Sequence, residues 1–242
     1  MAVVTDIRDY SDERGNQIIG VPKSCTNSRI DFRARNCRVE IGEGATFENS
    51  TIRMTANGGL VRIGRSSVIK SVMRVGRNSS IIVGERLSST GGGSWSAAEE
   101  TSITIGDDCM FAVSLDIRSD HGHPIFDRRT GQRLNKSKSI VIGDHVWLSP
   151  RVFVYPGACI GEGSVIGARS LVNHAIPPNC IAIGVPARVT RRNIVWDKRN
   201  IATQRPQRLE SLDEIPHPWE STWPIEPEPT FWTRCKARLP FI

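Results

Sequence analysis

The sequence predicts an all-β chain wound as a three-sided parallel β-helix, and three observations carry that prediction. Aliphatic residues recur in unbroken steps of six at Ile142, Leu148, Val154, Ile160, Ile166 and Val172. The same step appears in shorter runs at Ile41 and Phe47; at Ile63, Ile69, Val75 and Ile81; and at Ile105, Phe111 and Ile117. Glycine follows the apolar position at Gly42, Gly64, Gly76, Gly106, Gly143, Gly161 and Gly167, and a small or β-branched residue stands four places after it at Val146, Val152, Ala158, Ser164 and Ser170.

A period of six is neither the 3.6 of a helix nor the two of a simple strand. It fits a short strand, a corner and another short strand, so that three hexads close a coil of about eighteen residues and successive coils stack as a repeat architecture. The repeated aliphatic side chain then points inward onto its equivalent in the next coil, and the backbones pair between coils. The glycines are expected to relieve the corners, where the backbone bends or takes positive φ. The hexads divide the chain into an N-terminal segment, 1–36, the β-helix, 37–189, and a Pro- and Trp-rich extension, 190–242. Two interruptions, 84–102 and 119–139, read as excursions from the helical path.

Composition narrows the function classes. The chain has 242 residues, 38% of them hydrophobic, which suits one folded unit. No apolar run is long enough to cross a bilayer, and Asp6, Asp9, Asp12 and Glu13 stand where a signal peptide would be apolar, so a cytoplasmic location is expected. The six cysteines are scattered without a C-x-x-C pair and read as reduced, mostly buried thiols. A net charge of +7 favours anionic partners, yet no nucleic-acid-binding motif is present.

From Ser102 to Arg192 the sequence contains I-G-D-H-V-W-L, then P-G-A-C-I-G-E-G-S-V-I-G-A-R-S-L-V, then I-P-P-N and G-V-P-A-R. This resembles the hexapeptide-repeat acyltransferases, within them the maltose, galactoside and polysaccharide (sialic acid, capsule) O-acetyltransferases. The resemblance implies a left-handed β-helix, a homotrimer with active sites between subunits, acetyl-CoA as co-substrate and no metal. The match departs from the family at Ser149, where glycine is common, and at Asn173, His174 and Ala175, where T-K-D is common.

The period breaks where chemistry is expected. Continuing the phase of Ile105, Phe111 and Ile117 reaches His123, inside a polar, turn-rich segment, and loops thrown from a rigid scaffold are natural sites of function. An alcohol is almost wholly protonated at neutral pH, so acetyl transfer to a hydroxyl needs a base, and imidazole, titrating near ~6.5, suits that task. His121 and His123 are both candidates. Alignment on Trp147 with the galactoside and sialic-acid acetyltransferases selects His123 as base, with His121 beside it or at the acceptor, and Trp147 as a wall of the thioester pocket. Asp120 and Asp116 are close enough in sequence to orient an imidazole. By resemblance, Ser149, Gly167, Ala168 and Ser170 keep a pantetheine groove open, while Arg169, Arg188, Arg191 and Arg192 offer cations to the cofactor phosphates.

The function expected is acetyl-CoA-dependent O-acetylation of a carbohydrate, in bacterial capsule or lipopolysaccharide. The alternative on the same fold is N-acetylation of an amino sugar, nucleotide sugar or antibiotic. A zinc carbonic anhydrase on this prism would need three placed histidines; His121 and His123 lie too close together for that spacing, and His145 reads as an outward, solvated hexad residue. Gly91 to Gly93 mark an irregular loop, or a flap in which Trp95 meets a sugar ring. From Glu210 onward, closely spaced prolines and the tryptophans Trp219, Trp223 and Trp232 point to an extended strap on a prism face or a neighbouring subunit.

Overall fold

The computed structural model describes residues 1–199, and among them there is no helix. The chain is a left-handed parallel β-helix. Each coil lays one strand on each of three faces, as in Ile140–Ile142 on face one, Trp147–Leu148 on face two and Phe153–Val154 on face three. The strands of successive coils pair in parallel with their equivalents one coil away, as Ile140–Ile142 does with its neighbours on either side. Face two is split between a three-stranded sheet near the N-terminus and a longer sheet beyond it.

The inward ladder is the one the period predicts: Ile142, Leu148, Val154, Ile160, Ile166 and Val172 are all buried, as are Ile105, Phe111 and Ile117. The coil length, however, varies. From Gln17 to its partners Arg38, Leu60, Ser80 and Ser102 each turn takes 20 to 22 residues, whereas Val141 to Cys159 takes 18. The early face-one strands are four residues long and bury two side chains each, Val39 with Ile41, Val61 with Ile63, and Ile81 with Val83. A wider cross-section filled by paired residues explains why the hexads before residue 102 read as looser.

The glycines after the inward residue act differently from expectation. Gly42, Gly64, Gly106, Gly143 and Gly161 do not have positive φ. A Cβ on Gly106 would lie 2.6 Å from the Asp144 backbone nitrogen, and one on Gly161 2.4 Å from that of Pro178. Glycine is required there because the next coil's backbone passes too close for any side chain. Positive φ falls two residues later, at Gly44, Ser66, Arg86, Asp108, His145, Gly163 and Asn179, one such residue per coil at the corner between faces one and two.

Three segments depart from the sequence reading. The parallel stack already includes Gln17–Ile19, Ser24–Thr26 and Arg29–Phe32, inside the expected N-terminal segment 1–36. Ahead of them, Tyr10–Ser11 and Ala2–Val4 pair antiparallel with the first coil and cover two of its open edges. At the opposite end Ala187–Arg192 folds back antiparallel on Cys180–Gly184.

Segment 84–102 is not an excursion. Ser94–Ala97 pairs in register with Val72–Val75 and with Asp116–Arg118, and Trp95 is fully buried, edge-on to Phe111 at 5.8 Å. The period in fact continues through it as Val83, Ser89 and Trp95, all three buried; serine and tryptophan disguise an inward ladder. Trp95 therefore offers no face to a sugar. The cysteines differ too: Cys25 is an exposed free thiol and Cys37, Cys109 and Cys180 buried free ones, but Cys159 is disulfide-bonded. It lies on the outward side of face one beside Val141 and Ala175, and its sequence spacing gave no sign of pairing. The Pro- and Trp-rich stretch from Glu210 lies outside the described residues.

Trp95→Ala removes a buried indole from the ladder and is expected to cost about 3–5 kcal/mol in chemical unfolding. Trp95→Phe should cost clearly less, because the indole Nε1 has no hydrogen-bond partner among the described residues. Equal, small effects of both changes would return residues 84–102 to the status of a loop.

Candidate functional site

Among the described residues, segment 119–139 leaves the prism between two strands of the repeat, the face-three strand Asp116–Arg118 and the face-one strand Ile140–Ile142. It is a built hairpin. Phe126 and Arg133 form an antiparallel bridge, the Asp127 N–H donates to the Gln132 carbonyl at 2.8 Å, and Asp127 Oδ1 accepts from the N–H groups of Arg129 and Thr130. The base is closed by Lys138 N–H on the Ser119 carbonyl at 3.0 Å. Glu99, at the same corner one coil earlier, holds the returning leg by accepting two bonds from the Arg133 guanidinium, at 2.6 and 2.9 Å, and one from Ser137 at 2.6 Å. These donors hold the Glu99 carboxyl at about 2, below the usual range.

His121 and His123 stand exposed on the outgoing leg. The Asn135 side-chain amide donates to the His123 carbonyl at 2.8 Å, and its oxygen accepts the Ile125 N–H at 2.6 Å, so both legs fix the backbone that carries His123. The His121 ring meets Tyr155 edge-on at 6.4 Å; Tyr155 was not singled out in the sequence, where only its place before Pro156 marks it.

The expected carboxylate partners are engaged elsewhere. Asp120 is buried, with Oδ2 accepting from Ser96 Oγ and Oδ1 from the Gly122 N–H, each at 2.8 Å. It shapes the turn before His123. Asp116 Oδ1 accepts from Arg118 at 3.1 Å. Among the described residues neither carboxylate is hydrogen-bonded to His121 or His123.

Trp147 lies on face two, so the full width of face one separates it from the corner that carries His123. It belongs to an outward column in strand register: Met110, Trp147, Val165, Ile181 and Arg191. The four apolar members are each half-buried, which makes a narrow apolar strip ending in a cation. Trp147 and Arg191 are three strand spacings apart, roughly 14 Å. Arg188 and Arg192 lie exposed on the same terminal strand, and Ala168 and Arg169 are exposed at the corner between faces two and three.

The other expected groove residues are in close contact with the neighbouring strands. Gly167 faces Ile183, whose Cγ1 would lie 2.6 Å from an added Cβ. Ser170 is fully buried, and its hydroxyl accepts the Gly184 N–H at 3.0 Å. Ser149 is also buried, and its N–H donates to the Ile166 carbonyl. His174 has a lowered pKa, from burial first and from the Arg188 charge second.

His145 contradicts its sequence reading outright. It points outward, at φ +50°, yet is completely buried, because the chain after Ala187–Arg192 returns along this corner and covers it. Trp196 stacks on the imidazole at 3.9 Å, and its indole N–H donates to the His145 carbonyl at 2.9 Å. His145 Nδ1 lies 2.8 Å from Asp108 Oδ2, and Nε2 3.1 Å from the Trp196 carbonyl. Lys198 then donates to Asp108 Oδ1 at 3.2 Å and to the Arg86 carbonyl at 2.9 Å. Burial works to raise the Asp108 carboxyl, but His145 and the Lys198 ammonium outweigh it and hold the group at about 2.

Comparison with known proteins places this architecture. Residues 139–174 match the family model for the bacterial transferase hexapeptide (six repeats). The chain is 30% identical over 193 residues, 78% of its own length and 90% of the other's, to the polysialic acid O-acetyltransferase of Neisseria meningitidis. It thereby belongs to the hexapeptide-repeat acetyltransferase family. It is also 33% identical over 142 residues to the polysialic acid O-acetyltransferase of Escherichia coli O1:K1, 59% of this chain and 46% of that one; it thus spans about half the length of several curated relatives it matches. The crystal structure of the polysialic acid O-acetyltransferase OatWY superposes with a TM-score of 0.69 at 27% identity, over 84% of this chain and 93% of that one. No helix among the described residues is long and apolar enough to cross a membrane.

Two outcomes test these anchors. Glu99→Gln should loosen the hairpin, so that trypsin cleaves at the exposed Arg128 and Arg129 a few-fold faster than in the wild type; unchanged cleavage would show that the tether is idle. For Asp108 the folded pKa lies below the ordinary 3.8, so its contribution, about 2 kcal/mol, is present above pH 4 and lost as pH falls towards 2. Stability measured against pH should show wild type and Asp108→Asn differing at pH 7 and converging near pH 2.

Proposed function

We propose that this protein transfers the acetyl group of acetyl-CoA to a hydroxyl of a sugar in a bacterial surface polysaccharide, capsule or lipopolysaccharide, at sites shared between the subunits of a homotrimer. The observation that carries the reading is the exposed His123 on a hairpin tied at its base, its far leg and its backbone carbonyl. A general base must be presented to its acceptor while its position is held. The family's polysaccharide-modifying members, named for polysialic acid, support the choice of acceptor.

The residues present fit acetyl-CoA. The half-buried strip of Met110, Trp147, Val165 and Ile181 suits a pantetheine arm, and Arg191, with Arg188 and Arg192 beside it, stands where the arm would reach its phosphates. Arg169 lies at the flanking corner. Within one chain His123 stands at a corner of the prism and Trp147 on face two, and packing the histidine corner of one protomer against face two of the next would bring base and thioester together.

In the reaction the acceptor hydroxyl donates its proton to the His123 imidazole as its oxygen attacks the thioester carbonyl carbon. The tetrahedral intermediate collapses with cleavage of the carbon–sulfur bond. The coenzyme A thiolate leaves and takes the proton from the imidazolium, so no acyl-enzyme is formed.

Thiol release from acetyl-CoA with a panel of neutral, sialylated and amino sugars tests the assignment. Activity on hydroxyl acceptors is expected, and His123→Ala should lower the turnover by roughly 10²–10⁴; consumption of amino sugars alone would overturn O-acetylation. Sedimentation at micromolar concentration should show three chains per particle, and a monomer with full activity would remove the shared site.

A further inference from the structure

The segment 193–199 is accounted for neither by the repeat nor by the catalytic hairpin. It runs back along the corner between faces one and two, against the direction in which the coils accumulate. The Ile194 N–H donates to the Asn179 carbonyl, Trp196 sits on His145, and Lys198 reaches Asp108 and Arg86. Asn179, His145, Asp108 and Arg86 are positive-φ corner residues of four different coils. The strap thus follows a ladder of turned-out carbonyls and side chains.

Its central residue touches the apolar strip. Besides stacking on His145, Trp196 lies against Trp147, with ring centroids 5.7 Å apart and planes tilted by 45°. Trp196 is itself buried and bonded to His145 through its indole N–H and its carbonyl, so it forms a fixed surface for a neighbour that remains half-exposed. The Trp147 indole is therefore flanked by protein where it meets Trp196 and keeps part of its surface exposed.

We propose that the strap is a wall of the acetyl-CoA crevice and that Trp196 is a positioning residue, fixing the Trp147 indole against which the thioester lies. The inference rests on the acetyl-CoA reading of face two. It assigns to residues C-terminal to the repeats a part in cofactor binding, with His145, Asp108 and Lys198 as the anchors that hold the wall in place. Trp196 acts through Trp147, so its loss is expected to affect the cofactor and not the acceptor.

The test uses the full-length protein and four variants: Trp147→Ala, Trp196→Ala, Trp196→Phe and Lys198→Met. Coenzyme A binding is measured by calorimetry, and KM is measured separately for acetyl-CoA and for the sugar. Trp196→Ala is expected to raise the acetyl-CoA KM and the coenzyme A Kd by roughly twofold to tenfold, the worth of one aromatic–aromatic contact, with the sugar KM unchanged. Trp196→Phe keeps an aromatic face and should recover most of the loss, and Lys198→Met should give a smaller rise. If Trp147→Ala weakens coenzyme A binding while Trp196→Ala and Lys198→Met leave it at the wild-type value, the strap inference falls and the crevice reading stands. If Trp147→Ala itself leaves binding unchanged, the crevice reading fails and takes the strap's role with it. A parallel rise in both KM values would mark general loss of structure and also overturn positioning. Should Trp196→Ala fail to fold, Lys198→Met decides: a wild-type acetyl-CoA KM there overturns the proposal.

Discussion

The structure depends on how closely one coil lies on the next. Backbone pairing fixes the distance between coils at a strand spacing, roughly 4.8 Å, and at the corner after face one that distance leaves no room for a Cβ. Gly42, Gly64, Gly106, Gly143 and Gly161 answer that demand. Everything else follows from keeping the stack in register: inward aliphatics fall on inward aliphatics, outward residues line up in columns, and each corner repeats its neighbour. The column Met110, Trp147, Val165, Ile181 and Arg191 is a direct product of this registration, since nothing in the linear sequence sets those residues apart as a group.

Much of the fold could be read because a period of six imposes the same side-chain choice at every step. It became hard to read where the inward position was filled unusually. Ser89 and Trp95 keep the phase, and the small residue in one strand and the large one in the next are both buried, yet neither resembles an aliphatic rung. The long early coils blurred the pattern for a related reason, since two inward side chains per strand relax the strict hexad. Glycine was correctly tied to the corners, but what requires it there is crowding by the next coil and not positive φ, a distinction that only three-dimensional neighbours reveal.

The site was legible in part. The loss of period at residue 119 located the hairpin, and the two histidines within it stand exposed on a held backbone. The role of Asp120 could not be judged from proximity in sequence, because its partner Ser96 is set by the register of face three, while Asp116 is taken up by Arg118 two places along its own strand. His145 was unreadable for a deeper reason. Its outward direction follows from the hexad, but its burial comes from Trp196, fifty-one residues on, and no local pattern encodes a contact of that span.

That span has a consequence for how the molecule comes apart. In a linear array of repeats each unit holds only its neighbours, so such arrays can melt from an end and leave the remainder intact. Here Lys198 is bonded to the carbonyl of Arg86, 112 residues earlier, across coils that lie between them in the stack. The last described residues are thereby stapled to the middle of the array. Peeling the C-terminal coils away would first have to release that clasp, and this couples rungs that share no border into a single cooperative unit.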